Sequence, residues 1–457
     1  MRLMFEEYPV QGRIFPMTID DKPLSIEIHA RPGQPLGMSP ARFLREVWQK
    51  RPLLIRGAFA GFENPVAPDD LAGLACEELA LSRIVIEKAL DSRVRGNDDA
   101  KGRRADSRWE LRTGPFAEKD FATLPKTHWT LLVQDVDKWD ADVAALLANF
   151  RFLPSWRVDD VMISYAEDGG SVGAHVDQYD VFLLQGLGQR RWQIDERPDA
   201  PKAFRDDVEL KLLRDFTPTH DWLLEPGDML YLPPGVPHHG VAVGPCMTYS
   251  IGMRAPSQAE LFVDFAETLA ESLPEELRLS DADLAPARGD GEIDDAAIER
   301  VMRAMPWVRF APLSERHARP SQKSKWMPAS AGMTTSVDGI PEALLRTWFG
   351  RFITRYRSAQ FAAPPPRVPG DAAFAQARER GAHVRRNPWS RVAWLREGRG
   401  ATLFVAGDAH ACSLALAKRV GAHDEFALAD VRDARDLGVL RQLVAAGHFT
   451  LLRARKA

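Results

Sequence analysis

The sequence predicts an α+β protein: a β-rich barrel or sandwich, a helical stretch behind it, and a small mixed domain at the C-terminus. Three observations carry this. From Trp129 to Ile251, short runs of Val, Ile, Leu, Phe and Tyr alternate with turn residues at the spacing of a small barrel or sandwich. After Pro256 the apolar spacing changes to three and four residues, as in Phe262, Phe265, Ala266, Leu269 and Leu273. Pro364-Pro365-Pro366 then forms a stiff linker to a final stretch of mixed short helices and strands.

Each element has its own local cause. Residues 1–37 show weak periodicity, and Met17 is a second possible start. Ser39 is placed to cap a helix over 41–50 with Pro40 in its first turn. Phe43, Leu44, Val47 and Trp48 give that helix one apolar face, and Arg51-Pro52 stops it. Leu53-Leu54-Ile55 reads as a buried strand ended by Gly57. Turns fall at Glu167-Asp168-Gly169-Gly170, Gly186-Leu187-Gly188, Glu225-Pro226-Gly227-Asp228 and Pro233-Pro234-Gly235. Helices are expected over 261–279, 296–305, 341–358 and 437–446. The implied domains are 1–256, 257–360 and 361–457.

Composition excludes several classes. With 457 residues the chain is too long for one ordinary core. Hydrophobic residues at 45% and charged residues at 27% exclude a largely disordered chain and a membrane bundle. No apolar run approaches the roughly 20 residues that span a bilayer. The N-terminal residues lack the apolar stretch of a secretion signal, so a cytoplasmic location is expected. The net charge of -4 argues against whole-surface nucleic-acid binding. Cys76, Cys246 and Cys412 are distant and odd in number, which argues against a disulfide scaffold or a zinc ribbon.

Two segments, 91–105 and 320–337, look foreign. The codons TGG ATG CCC GCG TCC GCG GGA ATG ACG AC encode Trp326 to Thr334. Read from the third base, they give Asp-Ala-Arg-Val-Arg-Gly-Asn-Asp-Asp, one residue away from the stretch Asp91 to Asp99. One mobile DNA repeat, entered twice and read in two frames, explains both. Added length of this kind is tolerated in exposed loops.

The chemistry concentrates in three pieces. The first is Gly173-Ala174-His175-Val176-Asp177-Gln178-Tyr179-Asp180-Val181-Phe182. On a strand, residues two apart face one way, so His175 and Asp177 are expected to project together. The second is the strand, Pro/Gly turn and histidine of Asp228 to His238, with His239 following. Two imidazoles and one carboxylate on one face of a metal leave the other face open, as a non-haem Fe(II) oxygenase requires. The third is Gln185 to Ile194, where a turn is expected to return Arg190 and Arg191 toward the barrel. A guanidinium there can grip a dicarboxylate.

With Trp48 to Leu54, Asp160 to Tyr165, His175 to Phe182 and Pro233 to His238, the chain resembles the JmjC-type cupin ribosomal oxygenases of bacteria. The likeness runs from about residue 37 onward, apart from the two foreign segments. It implies a double-stranded β-helix barrel, a helical dimerisation segment at 257–360 and a winged-helix-like domain at 361–457. It also implies Fe(II) held by His175, Asp177 and His238, with His239 the competing ligand. The co-substrates would be 2-oxoglutarate and dioxygen. Arg190, with Arg191 as runner-up, and Ser164 would bind the distal carboxylate of 2-oxoglutarate. Thr248 stands where relatives often carry asparagine.

The implied reaction is hydroxylation of an arginine of 50S ribosomal protein L-16 by a homodimer. Asp168 and Asp180 are candidates to hold that arginine. Arg378, Arg380, Arg385, Arg386, Arg391, Arg396 and Arg399 are candidates for a ribosomal RNA contact, or form a solvated basic face. The alternatives are a JmjC oxygenase with another target, such as a histidine hydroxylase or a demethylase, and a non-catalytic cupin binding protein. Zinc and manganese cupins use similar ligands.

Overall fold

A computed structural model describes residues 24–31, 33–88, 108–271, 273–283, 295–304, 342–356 and 361–453. Both foreign segments lie outside the described residues. Strand β1 (Glu27–His29) leads to α1 (Pro40–Glu46), β2 (Leu53–Arg56), α2 (Pro68–Leu74), β3 (Ser82–Glu87) and β4 (Trp109–Thr113). Next come α3 (Glu118–Ala122), β5 (Trp129–Val133), α4 (Val136–Trp139) and α5 (Ala141–Leu146). The central strands are β6 (Val158–Ala166), β7 (Val181–Ile194), β8 (His220–Leu224), β9 (Met229–Leu232) and β10 (His238–Met253). Helices α6 (Gln258–Glu271), α7 (Asp295–Ala304) and α8 (Glu342–Thr354) follow. The C-terminal domain holds α9 (Asp371–Glu379), β11 (His383–Arg386), β12 (Val392–Glu397), β13 (Gly400–Val405), β14 (Asp408–Ser413), α10 (Leu414–Ala422), β15 (Glu425–Ala427), α11 (Ala434–Ala445) and β16 (Phe449–Leu452).

The strands of the first 256 residues join one sheet in the order β1-β2-β9-β7-β10-β6-β5-β3-β4, with β8 added against β7. The pair β1–β2 is parallel; the central pairs are antiparallel. Strand alternation divides the sheet into two faces. Val161 and Ile163 of β6 join the outer apolar cluster with Phe43 of α1, Leu71 of α2, Val136 and Val143. The Phe43 ring sits 5.1 Å from Tyr231 and 5.8 Å from both Phe152 and Phe182. Truncating such a buried aromatic costs about 3–5 kcal/mol. The intervening residues of β6, Asp160, Met162, Ser164 and Ala166, face the other way. On that inner side lies a second cluster containing Leu54, Val181, Leu183, Trp192, Ile194, Leu224, Leu230 and Leu232.

Strand β7 corrects one expectation. Gly186-Leu187-Gly188 does not reverse the chain; β7 runs through it as one 14-residue strand paired along β10. The ladder shifts register between Val243 and Thr248, opposite this segment. Gly188 has φ +59°, and a Cβ there would lie 2.1 Å from the carbonyl oxygen of Pro245. Such a bulge changes the parity of the strand. Before it, odd-numbered Val181 and Leu183 face inward; after it, even-numbered Trp192 and Ile194 do. The irregularity therefore turns Arg190 inward and Arg191 outward.

Two helices end earlier than the apolar spacing suggests. Helix α1 stops at Glu46, and Gln49 turns into left-handed backbone at φ 55°. Its cap is as expected, with Ser39 Oγ accepting from Arg42 N–H. Helix α6 stops at Glu271, just before Pro274, which cannot continue a helix. The C-terminal domain packs α9, α10 and α11 with the three-stranded sheets β15-β11-β16 and β12-β13-β14. Phe374, Val384, Leu403, Leu416, Leu440 and Phe449 fill its core. Trp348, Phe352 and Ile353 of α8 pack with Trp156, next to the barrel, and with Ala393 of β12, joining the two parts. Among the described residues no helix is long and apolar enough to cross a membrane.

Candidate metal centre

His175, Asp177 and His238 meet at the inner side of the sheet, their ligand atoms all within 4.8 Å of one another. His238 opens β10, directly after the Pro233-Pro234-Gly235 turn. His175 and Asp177 are not on a regular strand, contrary to the expectation above. They lie in the connection between β6 and β7, and His175 forms an isolated antiparallel bridge with His238. In it, His175 N–H donates to the His238 carbonyl at 3.0 Å, and His238 N–H donates back at 2.9 Å. The pairing brings the imidazole centres to 4.2 Å.

Backbone carbonyls orient both rings. His175 Nδ1 donates to Gly173 O and His238 Nδ1 to Val236 O, each at 2.9 Å. That fixes the tautomer and leaves each Nε2 lone pair free, as a metal ligand needs. His238 Nε2 faces Asp177 Oδ2 at 3.6 Å. His238 is 2% exposed, and burial, with His175 beside it, pushes its pKa down to about 4. A neutral imidazole is the ligating form. His239 points elsewhere: its ring meets Phe216 edge-on at 6.1 Å. Two oriented imidazoles and a carboxylate on one side are a donor set that fits a divalent first-row metal.

The anion-binding expectation divides between the two arginines. Arg190 is 2% exposed, donating from Nη1 to Ser164 Oγ and from Nη2 to Gly240 O, each at 3.3 Å. Its Nε has no hydrogen-bond partner among the described residues. Its guanidinium stacks 5.2 Å from the centre of the Trp192 ring, whose other neighbour is His238 at 5.9 Å. A Cβ at Gly240 would lie 2.8 Å from both Arg190 Nε and the Trp192 ring, so the cradle requires glycine there. Arg191 sits on the surface, paired with Asp221 at 2.8 Å. A buried cation with open donor capacity, beside Ser164, fits a dicarboxylate. Thr248 closes this region, donating to Gln185 Oε1 at 3.0 Å.

The acidic residues first considered for gripping an arginine are placed otherwise. Asp180 is fully buried and already engaged, accepting from Tyr231 Oη at 2.7 Å, Gln49 Nε2 at 2.8 Å and Arg157 Nη2 at 3.1 Å. Asp168 is exposed and holds a turn by accepting from Gly244 N–H at 2.8 Å. Two residues not singled out lie beside the centre instead. Tyr179 is 41% exposed, and its phenol lies within electrostatic reach of Asp177 and Asp160. Burial and the carboxylates of Asp177, Asp160 and Asp159 push its pKa up. Asp160 shares the inner face of β6 with Ser164. Burial first, then Asp135, Asp159 and Asp137, raises its pKa to about 7. The alternation back from Ser164 through Met162 to Asp160 was the available sequence signal.

Comparison with known proteins agrees with this reading. Residues 145–261 match the JmjC domain family, and residues 333–450 match the ROXA-like winged helix. The chain is 35% identical over 323 residues to the ribosomal protein uL16 3-hydroxylase of Escherichia coli, covering 71% of this chain and 73% of that protein. The X-ray structure of E. coli ycfD superposes with a TM-score of 0.68 at 30% identity, covering 91% of this chain and 98% of that one. A structure of the same E. coli protein, described as a ribosomal oxygenase in complex with cobalt and 2-oxoglutarate, gives a TM-score of 0.64. The fold is thus the JmjC cupin barrel followed by a winged helix, and the chain belongs to the JmjC-domain ribosomal oxygenases.

Proposed function

We propose that this chain is an Fe(II)- and 2-oxoglutarate-dependent hydroxylase acting on an arginine of ribosomal protein L-16 (uL16). The observation that carries it is the meeting of His175, Asp177 and His238 with a buried, carboxylate-free Arg190 on one face of one barrel. The E. coli relative is named for hydroxylation of uL16, and its structure holds cobalt, a stand-in for iron, with 2-oxoglutarate. His175, Asp177 and His238 hold the metal; Arg190 and Ser164 hold the distal carboxylate of the co-substrate. Bound iron supplies oxidative decarboxylation of 2-oxoglutarate coupled to hydroxylation of an unactivated carbon. The chain contributes alignment and water exclusion.

Leu54, Val181, Leu183, Leu230 and Trp192 make a dry wall around the inner site. Near the mouth, the half-exposed Tyr179 ring offers a π face to a cationic side chain, with the buried Asp160 behind it. Ser250 pairs with Met162 across β10 and β6 and adds a polar neighbour. A homodimer fits α6, which leaves Phe262 74% and Val263 55% exposed. A ribosomal RNA contact by this domain would rest on Arg378, Arg380, Arg396 and Arg399. Arg385, Arg386 and Arg391 are paired with Glu425, Asp424 and Asp159. The setting for this activity is the cytoplasm.

Mass spectrometry of L-16 incubated with the protein, Fe(II), 2-oxoglutarate and oxygen tests the proposal. One oxygen added to an arginine, absent with Asp177→Ala, supports it. Succinate without modified L-16 redirects the search to another substrate. Neither product refutes the hydroxylase reading.

A further inference from the structure

Arg391 stands just before β12 in the C-terminal domain, yet its side chain is directed at the barrel and is only 9% exposed. Its Nη2 donates to the carbonyl oxygen of Asp159 at 3.1 Å and to the Asp159 carboxylate. Its guanidinium lies 4.0 Å from the centre of the Tyr356 ring. The Tyr356 hydroxyl donates to the Asp135 carboxylate, and Asp135 N–H donates to Asp160 Oδ2 at 3.2 Å. Trp389, two residues before Arg391, reinforces the joint, edge-on to Trp139 at 5.8 Å and parallel to Tyr356 at 6.4 Å.

This chain of contacts ends at Asp160, beside Tyr179, a residue within electrostatic reach of Asp177 of the metal centre. Gly252 of β10 leaves the gap in which the Asp160 carboxylate and the Tyr179 ring approach: a Cβ there would lie 3.4 Å from Asp160 Oδ1 and 4.0 Å from Tyr179. Asp159, Tyr179 and Tyr356 border one cavity of about 870 Å³, whose other walls come from the end of β10 with residues 254–256, from α6, and from Phe352 and Arg355. Three carboxylates, Asp135, Asp159 and Asp160, thus crowd the start of β6. Like charges so close repel in a low-dielectric setting, and a buried cation that also stacks on Tyr356 opposes their separation.

The geometry points to Arg391 as a positioning residue for the protein substrate. By holding Asp159 and Tyr356, it fixes residues 158–162 and with them the wall against which a cationic side chain docks. The inference rests on the hydroxylase reading above. It makes the winged helix part of the substrate mouth rather than an independent module. Displacements near 1 Å at a remote support can cost on the order of a hundredfold in rate.

The test uses full-length protein and the variants R391M, R391K and D159N. R391M is expected to raise KM for L-16 about tenfold, with KM for 2-oxoglutarate and iron content unchanged. R391K should recover most of the loss, and D159N, which keeps the carbonyl contact, should fall between. Amide hydrogen exchange over 158–162 should quicken in R391M. Unchanged KM and unchanged exchange overturn the inference. So does a parallel loss of kcat, co-substrate binding and iron, which marks general unfolding. If the unaltered protein does not modify L-16, the substrate assignment fails instead, and if it also forms no succinate, the hydroxylase reading fails with it. The exchange comparison then still decides whether Arg391 fixes the mouth.

Discussion

Replacing Arg190 by methionine separates function from stability, because the two are predicted to move in opposite directions. The guanidinium is buried, its two contacts are long at 3.3 Å, and neither partner is a carboxylate. A cation so placed weakens the folded protein until an anion arrives. A methionine of similar length should stabilise the metal-free protein by about 1–3 kcal/mol. Co-substrate binding should suffer much more. Two charge-assisted hydrogen bonds, each about 1.5–3 kcal/mol, are lost, so Kd for 2-oxoglutarate rises on the order of a hundredfold or more. Urea midpoints of the metal-free proteins read the first effect. Calorimetric titration of 2-oxoglutarate into Mn(II)-loaded protein reads the second. Arg191→Met is the control: its pair with Asp221 is half-exposed, so both quantities should stay within about 1 kcal/mol. If Arg190→Met destabilises the metal-free protein, or binds 2-oxoglutarate normally, the assignment of Arg190 as an anion trap is wrong.

Further outcomes follow from other residues. His238→Ala should abolish iron binding measured by metal analysis while His239→Ala retains it, and the reverse pattern would exchange their roles. Asp180→Asn should cost about 2–4 kcal/mol in chemical denaturation without changing iron content, because it strands the partners Tyr231, Gln49 and Arg157. Asp160 has its pKa raised to about 7, so its burial destabilises the fold progressively as pH climbs from near 4 toward 7. Asp160→Asn should therefore be more stable than the parent at pH 8, by up to roughly 4 kcal/mol, and equal to it near pH 4; equal stability at both pH values would refute this. Excising residues 91–105 should leave the barrel folded and gain about 1 kcal/mol or less in thermal unfolding. The excision shortens a connection between strands already paired through Glu87 and Trp109, and closure entropy changes slowly with loop length.

The convergence of His175, Asp177 and His238 was legible because its chemistry is local. A histidine two residues before an aspartate, and another histidine after a Pro/Gly turn, restrict what the chain can hold between them. The barrel was legible from strand spacing for a similar reason. The inward choice of Arg190 over Arg191 was not, since it depends on a register shift at Gly188 that periodicity reads as a turn. The role of Asp180 was hidden too, because its partners Gln49, Arg157 and Tyr231 are remote in sequence. Arg391 looked like one of seven exposed basic residues until the C-terminal domain was seen packed on β6. In each case the deciding interaction lies between segments, where sequence spacing carries no signal.

The main-chain pairing of His175 with His238 has an evolutionary consequence. Neither hydrogen bond that sets the distance between the two residues uses an imidazole. Exchanging either side chain therefore leaves the frame standing while removing a candidate metal ligand. Architecture and chemistry are inherited separately here: one codon can silence the catalyst and leave an intact scaffold, available for recruitment as a binding protein.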